Sequence, residues 1–133
     1  MKKIYQNESL EWSNIFFLIP LFISIFYGLY LYSVIIFIVF IVSFDFHFFN
    51  QAKQVYYLDI TFSSILMLSN LTLLILGHLL FPYYILAIIS ALTALYLYFK
   101  ENKENYYLNH SLWHFFSAIV CIFCLLTYIS YIQ

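Results

Sequence analysis

Charge is what this sequence has least of: Asp, Glu, Lys and Arg together make up 8% of its 133 residues. A soluble domain carries about 25%, so too little is present to clothe a water-facing surface, and an ordinary soluble globule is excluded. Glycine and proline are scarce too, at two each, which suits long helices better than many short strands. No ten-residue stretches of alternating polarity appear, so the strands of a membrane barrel are not expected. The net charge is −1 and there is no basic tract to engage nucleic acid. The only cysteines, Cys121 and Cys124, form a C-x-x-C inside an apolar run with no strand before it, and they read as packing residues. The opening segment MKKIYQNESLEWSN has two lysines but continues into Glu8 and Glu11, and no small-residue cleavage site follows. It is therefore expected to be retained. No internal repeat is visible.

What is there is apolar surface: 65% hydrophobic and 24% aromatic residues, with a mean hydropathy of +0.94. A bilayer offers the backbone no water, so every spanning segment has to satisfy its own hydrogen bonds. The expected fold is an all-α, polytopic transmembrane helix bundle of five helices forming a single domain over residues 1–133. A crossing takes about 20 residues. Residues 12–49 would make one helix nearly twice the ~30 Å hydrocarbon thickness, so a turn is expected at Gly28. The expected helices are 12–27, carrying Pro20; 29–49; 56–79; 82–99, opened by Pro82; and 107–131. Lys2, Lys3, Lys53, Lys100 and Lys103 then all fall at one end of the bundle. The positive-inside rule makes that end, and the N-terminus, cytoplasmic.

Ionisable side chains at membrane depth are costly and are functional candidates by default. His47 closes the second helix, Asp59 opens the third, and His110 and His114 open the fifth. These four groups from three helices share one membrane level. Ser43 lies four residues before His47 on the same face, and Asp59 shares its face with Ser63. Three imidazoles with an open fourth position are what catalytic zinc needs, with Asp59 placed to orient a water or take its proton and Ser43 to donate a hydrogen bond. Bis-histidine haem, pairing His47 with His110 or His114, is the rival and leaves one histidine and Asp59 without a role. A His-x-x-x-His pair can also simply anchor a helix in the headgroup zone. His78 reads as a residue of the opposite interface, and Asp45 as one that reaches toward the cytoplasmic surface. Glu101 and Glu104 fall in an exposed loop. Ser63, Ser64, Asn70 and Thr72 read as helix-to-helix contacts, and the aromatic excess as lipid contact and interfacial belt.

The strings "SFDFH" with Ser43 and His47, "YLDITFS" with Asp59, and "HSLWH" with His110 and His114 resemble the CREST superfamily of membrane hydrolases. That group includes alkaline ceramidases, adiponectin and progestin receptors, GPI-anchor remodelling proteins and the myomaker branch. "HSLWH", with Trp between the histidines, is most similar to the last two. The family typically has seven helices; five are counted here. The resemblance implies zinc held by His47, His110 and His114, with Ser43 and Asp59 as catalytic partners of a metal-activated water. It also implies hydrolysis of an amide or ester bond in a membrane lipid, ceramide-like or glycerophospholipid. The corresponding localisation is multi-pass integral, in the plasma membrane or endoplasmic reticulum. A non-catalytic zinc protein of lipid sensing or membrane remodelling is the alternative, and a homo-oligomer could complete so small a bundle.

Overall fold

A computed structural model describes residues 12–49, 52–102 and 104–133. The chain is all-α, with no strand among the described residues. A 3-10 turn, Asn14–Phe17, leads into α1 (Leu18–Phe26), and then come α2 (Tyr30–Phe48), α3 (Lys53–Leu76), α4 (Tyr83–Phe99) and α5 (Tyr106–Ile132). Three of these, α2, α3 and α5, are long and apolar enough to cross a membrane, at 19, 24 and 27 residues. The segment Asn14–Phe26 and α4 are apolar but shorter. At 17 residues, α4 rises only about 25 Å against a hydrocarbon core of ~30 Å. The exterior is largely apolar, with Phe26, Leu31, Phe81 and Phe99 among its most exposed side chains, a surface compatible with a membrane environment.

The break inside residues 12–49 falls at Gly28, whose φ is +73°. Leu29 N–H donates to Ser24 C=O at 2.8 Å and Gly28 N–H to Ile25 C=O at 3.0 Å, so α1 ends in a Schellman motif with glycine at its left-handed position. Ser24 and Ser33 then join α1 to α2 through their hydroxyls, 2.8 Å apart. The third helix ends three residues earlier than the expected boundary at 79. It closes in the same motif, with His78 N–H on Ile75 C=O and Leu79 N–H on Leu74 C=O, but here the left-handed residues are His78 and Leu79, at φ +51° and +50°. Gly77 keeps an ordinary φ because its task is different. A Cβ there would meet the backbone of Thr127 at 2.8 Å, so the missing side chain lets α3 and α5 touch.

The helices run up and down, with α5 as the central post packed on α4, α3 and α1. Its face of Ala118, Cys121, Cys124, Leu125 and Ile129 is buried in the core. The cysteines are free and buried, as packing residues are. Tyr32 of α2 donates to Asn70 Oδ1 of α3, and Asn70 Nδ2 donates to Cys121 Sγ of α5 at 3.5 Å. Three helices are thereby tied together at mid-depth, the kind of interhelical contact expected of Asn70. Ser64 and Thr72 behave otherwise: their hydroxyls return to Ile60 and Leu68 carbonyls of their own helix, the local bond open to any hydroxyl four residues along.

Candidate metal centre

The up-and-down path brings the end of α2, the start of α3, the end of α4, the start of α5 and the segment before α1 to one end of the bundle. His47 enters from the last turn of α2 and His110 and His114 from the first turns of α5, one above the other on the inward face. All three are buried, at 8%, 8% and 2% exposure. One nitrogen from each lies within 4.8 Å of the other two. The ring centroids form a tight triangle: 4.9 Å from His47 to His110, 5.3 Å from His47 to His114 and 4.7 Å from His110 to His114.

The outward nitrogens of the two α5 histidines are occupied. His110 Nδ1–H donates to Glu101 Oε1 at 2.9 Å, and His114 Nδ1 lies 3.0 Å from Ser13 Oγ. Both rings therefore have Nε2 left to face the centre. His110 Nε2 and His47 Nε2 are 3.3 Å apart. Tetrahedral ligands bound to one ion at about 2.0–2.1 Å sit about 3.3 Å from each other, so this pair already has the required spacing. No two of the three ligand nitrogens are more than 4.8 Å apart. Asn14, next to Ser13, is fully buried with neither amide atom hydrogen-bonded among the described residues, which leaves polar capacity free at this end. The group can hold a metal ion.

Asp59, on the first turns of α3, stands outside the histidine group, half-buried. It is hydrogen-bonded by Ser43 and lies within electrostatic range of His110. Ser43, Asp59 and His114 share the lining of a cavity of about 410 Å³. The cavity runs inward to Asn70 and Cys121 between α3 and α4. These two helices are consecutive, yet both pack on α5 rather than closely on each other. Ala87, Ala91 and Ala94, with Ile88, Leu95 and Tyr98, form its α4 wall. Ser63 also lines it, on the face it shares with Asp59.

One expectation changes. Glu101 is not exposed: its side chain is 14% accessible, against His110. Asp45 is half-buried and does not belong to the histidine group. His78 is exposed at the far end, stacked on Tyr131 with centroids 4.3 Å apart. Lys53 and Lys100 flank the histidine end; Lys2, Lys3 and Lys103, with Glu8 and Glu11, lie outside the described residues. Sequence reasoning missed Ser13 and Glu101 as partners of the imidazoles, and no spacing rule signals either one. Comparison with known proteins gave no match to a family model, to a curated protein sequence or to a solved structure.

Proposed function

We propose that this chain is a multi-pass, zinc-dependent intramembrane hydrolase that cleaves an amide or ester bond of a membrane lipid, ceramide-like or glycerophospholipid. The observation that carries the reading is the meeting of three buried imidazoles from two helices beside an apolar cavity with Asp59 and Ser43 in its wall. Zinc, held by His47, His110 and His114, would supply Lewis acidity that makes a water more acidic and polarises an acyl carbonyl. The rest of the work belongs to the protein. The Asp59 carboxylate accepts a proton from the attacking water and returns it to the leaving amine or alcohol. Ser43, hydrogen-bonded to Asp59, holds that carboxylate toward the histidines. The apolar walls keep bulk water out, which strengthens each of these polar contacts. The gap between α3 and α4 gives an acyl chain a route in from the side.

Haem is less favoured by the geometry. Axial imidazoles stand on opposite faces of a macrocycle, whereas the His47, His110 and His114 rings crowd together, with centroids 4.9, 5.3 and 4.7 Å apart. A non-catalytic zinc protein is the second reading, because the group able to hold the ion is made of His47, His110 and His114 and needs neither Asp59 nor Ser43.

Lipid turnover by the purified protein in bilayer discs, using labelled ceramide and labelled phosphatidylcholine, tests the proposal. Asp59→Asn should lower turnover by about 10²- to 10⁴-fold while leaving bound zinc unchanged. Equal or absent turnover in both proteins, with zinc present, contradicts the hydrolase and leaves the non-catalytic reading.

A further inference from the structure

We infer that Glu101 is a positioning residue of the three-histidine centre: held by the α4–α5 loop, it fixes His110 as an Nε2 ligand. The inference rests on the metal-centre reading and deepens it.

The loop is built around this carboxylate. On the near side, Lys100 C=O accepts from Asn109 Nδ2 of α5 at 3.3 Å, and Lys100 Nζ donates to Tyr96 of α4 at 2.7 Å. On the far side, Asn102 Oδ1 accepts from the backbone N–H groups of Glu104 and Asn105, each at 3.0 Å. Asn102 N–H in turn donates to Asn105 Oδ1 at 2.9 Å. These bonds, all but that of Lys100 Nζ between a side chain and the backbone, fix the chain on both flanks of Glu101, so its carboxylate is aimed by the loop itself. Glu104, three residues on, is exposed. A carboxylate at this level would ordinarily stay in water. Glu101 gives up most of its hydration, and its charge-assisted bond to His110 Nδ1 offsets that cost.

The consequence for His110 is specific. An ionised carboxylate only accepts, so Nδ1 carries the proton and Nε2 presents its lone pair toward His47. Tyr106 and Trp113, with ring centroids each 5.0 Å from His110, flank the imidazole and hinder its rotation. A carboxylate behind a ligating imidazole also raises its basicity. Ser13 performs a weaker version on His114, because a hydroxyl can donate as well as accept and so does not dictate the tautomer.

The test compares wild type with Glu101→Gln, Glu101→Asp and Glu104→Gln as full-length proteins. Zinc affinity is read by competition with a chromophoric chelator, and ligand geometry by the visible spectrum of the cobalt(II)-substituted protein. Glu101→Gln should weaken zinc by about 10- to 100-fold and alter the cobalt spectrum. Glu101→Asp, which keeps the charge but retracts it, should fall between. Glu104→Gln removes the same charge from the same loop and should stay within about twofold. Wild-type affinity and spectrum in Glu101→Gln overturn the positioning role alone, and so does equal weakening by Glu101→Gln and Glu104→Gln. A wild-type protein that binds no zinc overturns the metal centre, and the inference with it. If Glu101→Gln does not elute as a folded species, Glu101→Asp carries the comparison: an affinity equal to wild type overturns the role, a weaker one supports it.

Discussion

At one end of the bundle three imidazoles are buried and turned onto one another; at the other, His78 lies exposed and stacked on Tyr131. All four lie at or near the ends of apolar helices, so neither residue type nor place along a helix separates them. What differs is the supply of partners. Behind the α5 histidines stand a carboxylate and a hydroxyl from other segments, which orient the rings inward. Among the described residues, His78 has only the aromatic face of Tyr131. The far end also carries a close backbone approach, of Gly77 to Thr127, next to His78 and Leu79 in the left-handed region.

Substitutions at each end should break this comparison in graded order. His114→Ala should have the largest effect, taking zinc from about one per chain to near none by metal analysis; full retention would mean that the cluster is not the site. Gly77→Ala comes next. Its Cβ meets backbone, which cannot swing aside, so a loss of about 1–3 kcal/mol is expected by thermal or denaturant unfolding in detergent, with zinc stoichiometry unchanged in the folded fraction. Gly28→Ala meets no atom within 4 Å and pays only for its left-handed φ, so about 1 kcal/mol is expected. Equal costs at the two glycines would remove the distinction between close packing and backbone conformation. His78→Ala should be the smallest, within about 0.5 kcal/mol and without effect on zinc.

Much of the frame was legible in the sequence. An apolar segment too long for one crossing demanded a turn, and Gly28 was the residue able to take a positive φ. The parity of the crossings then placed His47, Asp59, His110 and His114 at one level before any packing was known. Three features were not legible. Glu101 sits in KENKEN, whose composition reads as a solvated loop, and only the asparagine bonds that close that loop turn it inward. Gly77 falls inside the expected helix 56–79 with no signal of a role, whereas its missing Cβ serves a distant segment. The opening between α3 and α4 runs against the usual tendency of consecutive helices to pack together, because both are held by α5 instead.

X-ray absorption at the zinc edge of the purified protein tests the central claim most directly. Three imidazoles meeting on one ion predict nitrogen scatterers at about 2.0–2.1 Å, with the outer-shell pattern of histidine rings and no sulfur. A sulfur shell at about 2.3 Å, as Cys121 and Cys124 would give, or no zinc at all, would contradict it.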